Sequence, residues 1–168
     1  MGRALEDDPA NPRWSAWLAW LHLRDSNLDE AVEAVSKSLA IDSDYAEGLH
    51  VKSKLAVARD FQEAINTHER AAALDPRWRP ALAHTYALSG NRMKATEILA
   101  TTDDSPLNTF GRIEVYLALG EKEKALEWFQ QAYNQRHPYL PWSRRNYDLR
   151  EIWDTPEFRR LYQTLGIE

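Results

Sequence analysis

The sequence predicts an all-α fold: a right-handed α-solenoid of about four helical hairpins, closed by a C-terminal capping helix. Three observations carry this. Ala31, Ala64, Ala95 and Ala125 recur at intervals of 33, 31 and 30 residues, and periods near 30–40 mark stacked helical hairpins. Five residues before them stand Ser26, Arg59, Gly90 and Gly120, and four after them Val35, His68, Leu99 and Phe129. The dipeptide Asp75-Pro76 follows Ala64 as a helix stop, because proline cannot continue the backbone ladder and restricts the residue before it.

Taken in order, the hairpins pair helices at 12–24 with 27–40, 44–57 with 60–74, 77–88 with 91–101, and 106–119 with 121–135. The recurring alanines are small enough for close helix approach. Gly90 and Gly120 supply left-handed helix ends. Thr101 to Pro106 interrupts the third junction, which predicts a short second helix, a cap at Asp104 or Ser105, and a kink in the stack. Upstream, Ala4 precedes Pro9 by five residues, the same offset as Ala71 to Pro76. Residues 1–11 therefore read as the remnant of a preceding repeat, either because the chain was cut from a longer protein or because its N-terminal repeat is degenerate.

Beyond residue 137, His137-Pro138-Tyr139-Leu140-Pro141-Trp142 predicts a packed, non-helical crossing. Asp154-Thr155-Pro156-Glu157 then starts a helix whose Phe158, Leu161, Tyr162 and Leu165 share one apolar face, ending at Gly166 with Ile167 folded back on Tyr162. Residues 1–137 form the solenoid and 138–168 the crossing and cap of the same domain.

The pattern resembles the tetratricopeptide repeat family. The fourth repeat presents Ile113, Tyr116, Gly120, Ala125, Phe129 and Ala132, with His137 in place of proline. The third presents Leu82, Ala83, Tyr86, Gly90, Ala95 and Leu99. The second presents Val51, Phe61, Ala64, Ala71 and Pro76, with Arg59 at the glycine position. The first presents Leu18, Ala19, Ala31 and Val35, with His22 for the aromatic and Ser43 for the proline. From Ala125 to Ile167 the chain also resembles the C-termini of bacterial multidomain proteins, winged-helix transcriptional regulators and nucleotide cyclases among them. That second resemblance implies a sensory or regulatory module that binds a small ligand or dimerises.

The family resemblance implies a non-catalytic scaffold whose first helices line a concave groove for a protein or peptide. Phased on the alanines, the inward residues are Arg13, Ala16, Trp20 and Leu23; Leu49, Ser53 and Ala56; His84 and Leu88; and Phe110, Glu114 and Leu117. This groove is rather apolar with few cations. Ala16 and Trp20 stand where the peptide-carboxylate-binding members of the family carry polar side chains, which argues against that ligand. Trp14, Trp17 and Trp20 are weighed between packing on the preceding repeat and hairpin partner and anchoring a partner. An exposed Trp14 face would drive self-association through the N-terminal end.

Chemistry-bearing clusters are missing from the linear sequence. No two of His22, His50, His68, His84 and His137 lie three or four apart, so no helix offers a metal an adjacent histidine pair. There is no cysteine, no glycine-rich phosphate loop and no nucleophile elbow. Asp7-Asp8, Asp103-Asp104 and Glu121/Glu123 read as solvated charges, and Arg136, Arg144, Arg145 and Arg150 as a surface or internally paired cluster. No cofactor, metal or catalytic residue is expected. A net charge of −5 with 28% charged residues provides no basic footprint for nucleic acid. No apolar run reaches the length of a membrane span. The cysteine-free composition allows a cytoplasmic or a periplasmic setting, with the former preferred.

Overall fold

A computed structural model describes residues 8–166. Among these residues every regular element is helical. The first hairpin joins α1 (Pro12–Arg24) to α2 (Leu28–Ile41), and the second joins α3 (Ala46–Ala56) to α4 (Phe61–Leu74). The third joins α5 (Arg79–Leu88) to α6 (Arg92–Ala100), and the fourth joins α7 (Thr109–Ala118) to α8 (Lys122–Asn134). Single 3-10 turns at Pro76–Trp78 and Pro106–Asn108 lead into α5 and α7. Two longer 3-10 helices, Leu140–Arg145 and Tyr147–Ile152, precede α9 (Pro156–Thr164).

Local chemistry sets these boundaries. Asn11 accepts the Arg13 amide at 3.1 Å with Pro12 opening α1. Asp60 accepts the Gln62 and Glu63 amides at 2.8 and 3.1 Å, and Asn91 the Lys94 amide at 3.1 Å. Thr155 accepts the Phe158 amide at 3.2 Å ahead of Pro156. Each satisfies a helix N–H that has no partner within its own helix.

Ala31, Ala64, Ala95 and Ala125 are all fully buried. Each sits where the second helix of a hairpin crosses the first. In hairpins 1, 3 and 4 the first helix ends on a left-handed residue, Ser26 (φ 62°), Gly90 (φ 82°) and Gly120 (φ 73°). The next amide reaches back five residues: Asn27 to His22 at 2.9 Å, Asn91 to Tyr86 at 2.9 Å and Glu121 to Tyr116 at 2.8 Å. This is the closure that a left-handed residue makes available. Hairpin 2 closes differently. Arg59 stays at negative φ among the described residues, and Asp60 reaches back only four residues, to the Ala56 carbonyl at 2.8 Å.

The interrupted third junction is confirmed. Helix α6 has 9 residues against 14 for α2 and α4. Ser105 stands at the N-cap without a side-chain bond, and Pro106 follows it. The linker is tied down instead by buried Arg112, which donates to the Thr102 carbonyl at 2.5 Å, pairs with Asp104 at 2.6 Å and lies over Trp128 at 4.8 Å.

The largest core joins hairpin 4 to the C-terminal segment. Phe110, Ile113 and Phe129 pack with Leu140, Leu149, Ile152, Phe158, Leu161 and Tyr162. The Phe129 and Phe158 rings stack at 4.7 Å. Tyr162 donates to the Pro141 carbonyl at 2.9 Å, joining α9 to the crossing segment. Helix α9 thus covers the end of the stack. Contrary to the expected irregular crossing, residues 140–152 form two 3-10 helices, because three-residue periodicity buries Leu140 and Ser143, then Leu149 and Ile152, on one side. Residues 1–7 and Ile167 lie outside the described residues, and with them the Ala4–Asp7 part of the repeat remnant and the contact to Tyr162.

Candidate functional site

The segment 140–152 does more than reach the end of the stack. It turns back across the first helices of hairpins 1, 2 and 4 as a strap. Lys54 on α3 donates to Asp148 at 2.5 Å and lies 3.5 Å from Glu114 on α7. Asn146 donates to Glu114 at 2.7 Å. Arg24, at the end of α1, lies 5.8 Å over the Trp142 ring. At the strap's start, His137 donates from Nε2 to the Pro106 carbonyl at 2.9 Å and accepts the Tyr139 amide on Nδ1 at 3.1 Å.

Between strap and first helices lies a half-open cavity of about 1010 Å³. Of the residues expected in the groove, Trp20, Leu23, His84, Leu88, Phe110, Glu114 and Leu117 lie in its lining. Arg13 is exposed at the start of α1, outside the lining. Leu49 and Ser53 are buried in the helix interface, as are Ala16 and Ala56. In hairpin 2 the cavity is lined by His50, Lys54 and Val57 instead. Lys54 thus lines the cavity one residue after the position that Trp20, His84 and Glu114 occupy in the other hairpins.

The expected scarcity of cations is also corrected. Lys54, Arg24, Arg77 and Arg150 all line the cavity. The arginines are engaged elsewhere: Arg77 pairs with Asp75 at 2.6 Å, Arg24 with Asp25 at 3.3 Å, and Arg150 lies 3.9 Å over Tyr147. Arg144 lies 5.8 Å over Tyr162, at the cap.

Beside the cavity runs a buried polar chain. Ser53 donates to the Ala64 carbonyl at 2.6 Å, and Thr85 to the Ala81 carbonyl at 3.1 Å. Both hydroxyl protons are thereby used, so His68 Nδ1, 2.8 Å from Ser53 and 2.7 Å from Thr85, carries the proton. His68 Nε2 is then the acceptor, and His50 donates to it from Nδ1 at 2.9 Å. His50 stacks on Trp78 at 4.2 Å. Burial pushes the His68 pKa down to about 3 and that of His50 well below its ordinary value. His84 is lowered too, by burial and by Lys54. All three are neutral at physiological pH.

At the centre, His84, Glu114 and Asp148 bring one ligand atom each within 4.8 Å of the others. Lys54 is set among them, its ammonium held protonated by Glu114 and Asp148 against the opposing effect of burial. Burial raises the Asp148 pKa, but Lys54, His84 and Arg150 together hold it down near 2.

The family model of the tetratricopeptide repeat matches residues 1–46. That stretch contains the whole of hairpin 1, and hairpins 2 to 4 repeat its architecture. Residues 1–46 thus carry a tetratricopeptide repeat, and the hairpins that follow fit the same superfamily. The tetratricopeptide hairpins are protein-interaction units in general and are generally non-catalytic. No curated protein matches the chain. Among the described residues no helix is long and apolar enough to cross a membrane.

Sequence reasoning on the repeats missed Lys54, His50, Asp148 and Tyr139. The spacing of Lys54 four residues after His50, which puts both on one helix face, was the available signal for the first two. For the strap residues no local signal existed.

Proposed function

We propose that this scaffold holds a short segment of a partner polypeptide in the cavity on its concave face. The carrying observation is the cavity itself: aromatic walls, among them Trp20, Trp78, Phe110 and Tyr139, around a few convergent polar groups. That combination is typical of a recognition site. The strap limits what fits. It runs from hairpin 4 to Lys54 and Arg24 across the concave face, so a terminus or a turn of a few residues enters, and a long extended run does not.

The test uses short peptide libraries on immobilised protein. Leu88 is 39% exposed, and Trp20 is partly exposed although it also packs on the core of hairpin 1. The Trp20→Ala, Leu88→Ala double variant is expected to lose peptide retention while staying folded by circular dichroism. Unchanged retention would remove the cavity from the account. Phe110→Ala is a poor probe, because Phe110 is buried against Phe129 and Tyr139. A regulatory module binding a small ligand is the second reading, favoured by a volume at the upper end of small-molecule pockets. A thermal shift with metabolite-sized compounds and none with peptides would select it.

A further inference from the structure

Resting on the cavity as the partner site, we propose that its polar floor, His84 on α5, Glu114 on α7 and Asp148 on the strap, receives the cationic side chain of a lysine or arginine from the bound segment.

Charge is the first argument. Two carboxylates, Glu114 and Asp148, face one ammonium, that of Lys54, at 3.5 and 2.5 Å. The floor therefore carries an excess negative charge in a partly desolvated place. Arg24 and Arg77 are spent on Asp25 and Asp75. Arg150 lies over Tyr147 at the strap and, with Lys54, lowers the Asp148 pKa. An anionic ligand would meet two carboxylates; a monocation completes the balance.

His84 is the second. It is only 5% exposed, lines the cavity, and makes no hydrogen bond among the described residues. Its imidazole reaches the cavity, so a ligand seated there can replace water as its partner. Neutral His84 presents one lone-pair nitrogen and lies with both carboxylates in a group whose ligand atoms are within 4.8 Å of one another. An ammonium or guanidinium carries several N–H donors and satisfies these acceptors together.

The walls are the third. Trp20, Trp78, Phe110 and Tyr139 surround the approach. Aromatic faces take both the methylene stem and the positive charge of a basic side chain. A divalent cation would find the same three groups, but at the cost of displacing Lys54 from Asp148.

The experiment uses the full chain and acetylated, amidated pentapeptides Gly-X-Z-X-Gly, with X mixed and Z fixed in each pool. Pools with lysine or arginine at Z are expected to be retained roughly tenfold better than the methionine pool, and the glutamate pool least. Glu114→Gln keeps an acceptor for Asn146 and should erase that preference; it also loses the Lys54 ion pair, so its far-UV circular dichroism is recorded to show that the variant stays folded. Lys54→Met, which removes the resident ammonium, should increase it. Equal retention of all pools, lost in Trp20→Ala, leaves the cavity reading standing and overturns the cationic one; no retention of any pool overturns both. A lysine preference that survives Glu114→Gln also overturns the proposal. So does cadaverine binding as tightly as the best pool, or stoichiometric Zn²⁺ binding that His84→Gln abolishes.

Discussion

Lys54 and Asp148 stand 94 residues apart in the chain and 2.5 Å apart in space. One comes from the second hairpin and the other from the strap, so this ion pair joins the middle of the repeat array to its C-terminal segment. Both partners are mostly shielded from solvent, with 20% and 26% side-chain exposure. The carboxylate is held near a pKa of 2.

Asp148→Asn should therefore destabilise the protein by about 1–2 kcal/mol, the range between an exposed pair and a buried one. Urea titration of the single variants and of Asp148→Asn combined with Lys54→Met measures the coupling. A coupling energy of zero would mean that the strap is held by its apolar side alone.

Acidification should weaken the fold in two stages. His50, His68 and His84 have folded-state pKa values below the ordinary 6.5, while in the unfolded chain they protonate near it. The unfolded state then binds more protons, and stability falls as pH drops below about 6.5. Asp148 acts lower down: its contribution is complete above the unfolded value of 3.8 and is lost toward 2. Calorimetric melting temperatures at constant ionic strength should drop by several degrees from pH 7.5 to pH 5. A flat profile over that interval would contradict the neutral histidine chain.

Gly111→Ala should cost about 1–3 kcal/mol by overpacking. A Cβ there would stand 2.4 Å from Cβ of Pro80, where α5 and α7 meet. At Gly90 a Cβ would meet nothing within 4 Å, and the cost of alanine comes only from φ +82°, about 1 kcal/mol. Thermal unfolding of the two variants separates steric from conformational causes.

Ser26→Gly and Arg59→Gly should move stability in opposite directions. Ser26 is left-handed at φ 62°, so glycine relieves strain and stabilises by about 0.5–1 kcal/mol. Arg59 holds an ordinary conformation, and glycine there loosens the unfolded chain and destabilises by a similar amount. Stabilisation by Arg59→Gly would show that hairpin 2 shares the turn of the others.

The legibility of the fold in the sequence followed the range of the interactions. The four buried alanines were readable because the same local crossing recurs in each hairpin. Helix ends were readable from Asn11, Asp60, Asn91 and Thr155, whose caps reach only two or three residues. The place of Lys54 was not, since it lines the cavity one residue after the phase that Trp20, His84 and Glu114 share. The strap was invisible for a different reason. Asp148, Asn146 and Trp142 meet partners on distant helices, and such pairings leave no period in the sequence.

The strap also bears on the order in which the chain can be completed during synthesis. Stacked hairpins finish one after another as they leave the ribosome, each needing only its neighbour. Here Arg24 meets Trp142 and Lys54 meets Asp148, so the first two hairpins wait for a segment made about ninety residues or more later. Until then the Lys54 ammonium and the surrounding aromatic side chains stand open to water and to chaperones, and the cavity comes into being only once the strap has been made.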